Sequence, residues 1–383
     1  MKKIFKYVIL LVVCLLLTGC HRHKYEETIT PPTCNEYGYT TYTCRCGDSY
    51  TDNNVGTVDC EYVNQSCKWC NTSEGLKYFI NDGEVVVSGI GSCKLTDIVI
   101  PKVYQSLPVV GIYTKAFMNC DKIKTITLPE GIKNLGSSAF EGCMSLESIN
   151  IPLTVTRINA RVFKNCVKLN NITIPEGVIE IELSSFENCE SLTSIKLPST
   201  LTKVSDKLFA GCINLSSVTL SEKLTSICTY AFENCKSLIS IELPSTVTYV
   251  GDKAFAGCIN LSSINLPEGI TILGSAAFEN CESLVSIELP STVSSIGMFT
   301  FSNCTSLKEV VISEGVTIID EGAFSNCISL TKIVIPSSVK TIFPLAFYEC
   351  PALTIYCEVE SKPRGWEENW NYSNAPVIWG YSE

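Results

Sequence analysis

The chain has 383 residues with 22 Cys, 2 His and 18% charged residues, which is too apolar and too poor in charge for a disordered tail. A formal net charge of −10 repels phosphate backbones and argues against a nucleic-acid partner. Length alone suggests two or three domains, but a repeat array overrides that rule, so internal self-similarity decides the count.

Lys2, Lys3 and Lys6 precede the apolar run Val8 to Leu17, which has the basic-then-apolar order of a secretory signal and is short for a membrane span. The run ends in Leu17-Thr18-Gly19-Cys20, which resembles the bacterial lipoprotein box. That resemblance implies a signal peptide over residues 1–19 and lipidation at Cys20. A linker over residues 20–28 then follows, and the protein is anchored through acyl chains on the outer face of the bacterial cell membrane. The alternatives are an ordinary signal cut near Gly19 with Cys20 incidental, or an uncleaved anchor. Nothing after residue 20 is apolar for long enough to form a transmembrane helix.

Residues 29–72 form a small polar module with Cys34, Cys44, Cys46, Cys60, Cys67 and Cys70. The segments Thr30 to Cys34, Gly38 to Cys44 and Cys46-Gly47-Asp48 resemble a short module of surface proteins in anaerobic Gram-positive bacteria. A stretch this short and polar builds little core and needs staples. Structural zinc would use Cys67 and Cys70 at knuckle spacing plus Cys44 and Cys46, with Cys34, Cys60 or His23 to complete a site. Disulfides are the second option, with 15 pairings of six cysteines. A loosely ordered reduced spacer is the third.

From Cys120 to Cys350 a cysteine recurs every 23 residues, eleven in register. Phe stands three residues before each, from Phe117 to Phe347, and Leu or Ile three residues after. An Ile-x-Leu-Pro stretch follows, as in Ile126 to Pro129 or Ile241 to Pro244. The period-two pair predicts a short strand with both apolar side chains on one face, and Pro ends it. A second apolar pair, such as Val247 and Val250, turns the same way, and the Phe fills the interior. One unit cannot bury its apolar side alone, so units stack into a solenoid.

On these residues the chain resembles a BspA-like, treponemal-type leucine-rich repeat protein over residues 76–357. The resemblance implies an α/β-class solenoid of short β-strands and turns with little helix, a curved right-handed array of about 11–12 coils. The first coil carries a five-residue insertion around Tyr104 to Pro108. Residues 358–383, with Trp366, Trp370 and Trp379, are expected to cap the last coil.

The cysteine column is predicted to be structural. Equivalent side chains on stacked coils run parallel, whereas a disulfide needs Cβ atoms aimed at each other. The thiols then act as small apolar fillers that hydrogen-bond weakly to backbone.

The outward strand residues form two columns of mostly short hydroxyl and amide side chains. Lys196, Glu242, Glu288, Glu309 and Lys332 are their charged members and the candidate binding residues. These columns read equally well as plain solvated strand exteriors. The only imidazoles, His21 and His23, stand beside the anchor, and no glycine-rich phosphate loop occurs, so catalysis is not expected. The family resemblance implies adhesion, with extracellular or host-matrix proteins as partners. The alternative is a structural envelope protein that packs on its own copies or on the cell wall.

Overall fold

The computed structural model describes residues 72–382 without a gap, preceded by the strands Tyr25–Thr30, Gly38–Cys44, Ser49–Val55, Tyr62–Val63 and Ser66–Cys67. The chain forms two compact units, Met1–Glu61 and Tyr62–Glu383. In the first, three strands pair antiparallel in chain order, with Tyr25 opposite Cys44 and Gly38 opposite Val55. Thr and Tyr dominate Gly38–Cys44, a composition that suits a pleated ribbon.

The second unit is a leucine-rich-repeat-type β-solenoid of about 13 turns, with no helix among the described residues. Two parallel ladders run along it. One takes the Ile-x-Leu strands, with Thr125 opposite Asp97 and Ser148, Ser194 opposite Ser217, and Lys332 opposite Glu309 and Thr354. The other takes the second apolar pair, with Leu135 opposite Ile112 and Ile158, and ends in a bridge from Ile342 to Trp366. Within each short strand the middle residue points inward, as in Ser240-Ile241-Glu242, where only Ile241 is buried.

The turn count exceeds the sequence expectation of 11–12 because the end coils lack the landmark residues. In the first coil Ile90 and Cys93 stand in the Phe and Cys places, with the Cys93 N–H donating to the Ile90 carbonyl at 3.1 Å. The last strand, Val377–Trp379, has neither landmark. The five-residue insertion is a hairpin, Val103–Tyr104 paired antiparallel to the start of Leu107–Ile112. Its two central residues, Gln105 and Ser106, are left-handed (φ 51° and 63°), the geometry of a tight two-residue turn.

The eleven phenylalanines fill the interior as one stack. All are fully buried, with ring centroids 5.4–5.7 Å apart and planes within 23° of parallel. The buried Trp370 closes the stack edge-on to Phe347, at 6.2 Å and 84°, and packs on Trp366. Trp366 is buried as well, and its Nε1 donates to the Val339 carbonyl at 3.3 Å.

The corner around each Phe satisfies its backbone by alternation. Lys115, Phe117 and Asn119 donate to carbonyls of Ser137, Ala139 and Glu141 in the next coil at 3.0, 2.8 and 2.7 Å. Ala116, Met118 and Cys120 donate back three residues within their own coil, at 3.2, 3.2 and 3.1 Å. The pattern requires two left-handed residues per corner. One lies two residues before Phe, at φ 53–60°. The other lies just before Cys, at φ 53–74°, and is Asn seven times, Gly three times and Glu once. Asn and Gly are the residues that visit this region at least cost.

Each column cysteine from Cys143 to Cys350 donates its S–H to the carbonyl of the phenylalanine one coil back, at 3.0–3.3 Å. All fourteen cysteines from Cys93 to Cys357 are free thiols. The column is therefore structural, as its register predicts.

Two substitutions test this core. Phe232→Ala should cost about 3–5 kcal/mol in chemical unfolding, the penalty of a large aromatic cavity. Asn280→Ala should cost about 1 kcal/mol, because alanine lacks the short polar side chain that eases Asn into the left-handed region, while Asn280→Gly should be near neutral, because Gly211 and Gly257 already occupy that place.

Candidate binding surface

The outward strand columns are presented by the Ile-x-Leu ladder, and all five charged candidates are exposed on it. They are spread along the ladder rather than gathered. Lys196 lies 3.2 Å from Glu176, which also accepts the Ser199 N–H at 2.8 Å. Such exposed pairs contribute little to stability. Glu309 and Lys332 are register neighbours, yet Lys332 turns to the C-terminal end. Its Nζ meets the Tyr381 hydroxyl at 3.1 Å and stands over the Tyr356 and Tyr381 rings at 5.2 and 5.1 Å. Lys332 therefore helps to hold the end of the array. Glu242 is paired in register with Asn265, and Glu288 with Val311, in separate sheets.

That separation is a feature the repeat pattern does not announce. The outer ladder breaks before Ser194–Lys196, between Ser217–Thr219 and Ser240–Glu242, and again before Ser286–Glu288. At the break between Ser217–Thr219 and Ser240–Glu242, Val218, Leu220 and Leu243 are only half-buried, and a trough of about 540 Å³ opens between the two strands. Ser216, Ser217, Thr219, Glu222, Ser240 and Glu242 line it. Hydroxyls and carboxylates side by side make a hydrogen-bonding surface. Among the described residues no three His, Cys, Asp or Glu side chains are grouped to hold a metal ion.

Exposed aromatic side chains, missing from the strand columns, gather at the start of the array. Phe79 and Tyr113 are 54% and 55% exposed with centroids 6.3 Å apart, and Tyr104 of the inserted hairpin stacks on Tyr78 at 3.8 Å. The insertion was the sequence signal for this cluster. The predicted lipidation site Cys20 and the predicted metal ligands Cys34, Cys46, Cys60 and Cys70 lie outside the described residues. Cys44 and Cys67 are end positions of their strands.

The repeat geometry agrees with the family profile described as BspA type leucine rich repeat region, which matches residues 90–182, 110–239 and 225–354. The chain belongs to the BspA-type leucine-rich repeat family. Curated proteins offer no match to it. Among solved structures it is similar to a leucine rich cell surface protein from Faecalibacterium prausnitzii, at 26% identity and TM-score 0.57 over 82% of this chain and 95% of that one. A leucine-rich repeat protein from Bacteroides ovatus is similar at 25% identity and TM-score 0.57, over 82% and 92%.

In this BspA-type array burial disarms most of the fourteen described thiols. It pushes Cys143, Cys212, Cys258 and Cys304 up to about 12, and raises Cys166, Cys189, Cys235 and Cys281 well above the ordinary thiol range. A thiolate is the reactive form, so these sulfurs are inert in the fold. Cys120 and Cys228 are only half-buried.

A raised folded-state value gives stability that is complete below the unfolded thiol range and is lost as pH climbs toward the folded value. Unfolding should therefore steepen between about pH 9 and 12, with several protons released together. At pH 8, alkylation followed by peptide mass mapping should label Cys120 and Cys228 first, with Cys143 to Cys304 reacting only on unfolding.

Proposed function

We propose that the chain is a lipid-anchored bacterial cell-surface protein whose array binds extracellular or host-matrix proteins. The observation that carries this reading is how the array distributes its chemistry. Its thiols and aromatic rings are largely committed to a continuous core, while a long rigid exterior carries hydroxyl, amide and charged side chains in register. Such a scaffold presents groups at fixed spacing and does little else. The likeness to the Faecalibacterium prausnitzii cell surface protein supports placement at the surface. The basic-then-apolar N-terminus and Leu17 to Cys20 support export and the lipid anchor.

Capture assays with the full chain separate this reading from a structural envelope role. Saturable binding to matrix proteins, lost on charge reversal at Lys196, Glu242, Glu288 and Glu309, is the expected result. Saturable uptake of bacterial envelope fractions without any matrix binding would replace it with the structural role. Cys20→Ala should move the protein from the membrane fraction to the medium, and continued retention on the membrane refutes the anchor.

A further inference from the structure

The corner place two residues before Phe changes character along the array. In four earlier coils it is held by cations, Lys115, Arg161, Lys207 and Lys253. After Lys253 the cations stop, and Ala276, Phe299, Gly322 and Leu345 follow. Phe299 and Leu345 keep the left-handed backbone at φ 55° and 58°. The left-handed backbone recurs at this place in every coil, so what changes along the array is the side chain it presents, from cationic to apolar.

The next coil is shaped to receive Phe299. A Cβ added to Gly322 would sit 2.4 and 2.6 Å from Cε1 and Cδ1 of the Phe299 ring, so only glycine admits the ring across that rung. Despite this seat, Phe299 and its neighbour Met298 each remain 39% exposed. Consecutive rungs bring Pro344 and Leu345 alongside, through Phe299 N–H to Glu321 carbonyl at 3.0 Å and Gly322 N–H to Pro344 carbonyl at 3.4 Å. Pro344 and Leu345 are half-buried.

The same strip is acidic. Asp320 and Glu321 lie in its middle rung, with the Asp320 Oδ1 accepting the Glu321 N–H at 2.7 Å. Neither carboxylate takes part in an ion pair among the described residues, whereas Glu279 two corners earlier is matched by Lys253 at 3.5 Å. Exposed apolar groups beside unmatched carboxylates suit a partner that brings both apolar side chains and cations.

We propose that the strip of Met298, Phe299, Pro344 and Leu345, with Asp320 and Glu321, is the docking surface for a basic, partly apolar polypeptide segment. Its apolar side chains lie on Phe299 and Leu345, and its Lys or Arg groups face Asp320 and Glu321. This deepens the protein-binding reading above and rests on it.

The test uses the full chain and three short synthetic peptides that alternate Lys with Leu, Glu with Leu, and Lys with Ser, followed by fluorescence anisotropy. The Lys/Leu peptide should bind at least about tenfold more tightly than the other two. The double variant Phe299→Lys, Leu345→Lys should lose at least about tenfold for it. That variant keeps the corner backbone, because Lys207 and Lys253 already hold the same conformation. Asp320→Asn with Glu321→Gln should weaken binding and flatten its salt dependence. Equal binding of all three peptides, no binding, or unchanged binding by both variants overturns the proposal. Matrix-protein capture that is unchanged in the Lys variant overturns this site and leaves the surface-binding reading standing. Failure of all matrix capture removes that reading, and the peptide series then judges the strip alone.

Discussion

One oxygen atom per coil organises the array. The carbonyl of each phenylalanine from Phe117 to Phe324 accepts the N–H of its own coil's cysteine and the S–H of the next coil's cysteine. The first bond closes the turn, and the second ties neighbouring coils together at the place where the aromatic ring enters the core. Both lone pairs of a buried carbonyl are thereby used, which matters because an unmet buried acceptor is costly. A thiol suits the role, being small, a weak donor and cheap to desolvate. The column loosens where the partner changes: Cys120, one coil past Ile90, has only a 4.0 Å contact to the Met118 carbonyl.

Much of this was legible in the sequence, because the repeat writes one environment eleven times. The 23-residue spacing, the period-two pairs and the proline stops identify strands and stacking without any contact being known. The parallel direction of equivalent side chains was enough to read the cysteine column as unbridged. The two left-handed places per corner were not read, although Phe-x-Asn-Cys and Phe-x-Gly-Cys announce the second of them. The first has no compositional signature, since Lys, Ser, Arg, Tyr and Phe all occupy it. Inter-coil hydrogen bonding, and not local preference, sets that backbone.

The candidate surface was less legible for a related reason. A repeat shows which side chains point outward but not how neighbouring coils differ. Near-identical Ser-Ile-Glu-Leu-Pro units sit in separate sheets on either side of ladder breaks. Lys332 looks like any other column member until the end of the array supplies Tyr356 and Tyr381 for it to pack on. The exposed Phe79 and Tyr113 meet through residues far apart in sequence. Departures from the repeat therefore carry the individuality of this protein, and the repeat itself carries the scaffold.

The strict register of the rings and thiols also bears on how such a chain changes over generations. Loss or duplication of a whole 23-residue unit from the middle would give every remaining ring, thiol and carbonyl a neighbour of the same kind. Any other length change would put an apolar residue opposite a polar one along both ladders. The hairpin at Gln105 and Ser106 marks how the fold escapes this rule, by looping extra residues out between rungs. Array length is thus free to vary in whole coils, and novelty enters at the tips of the turns.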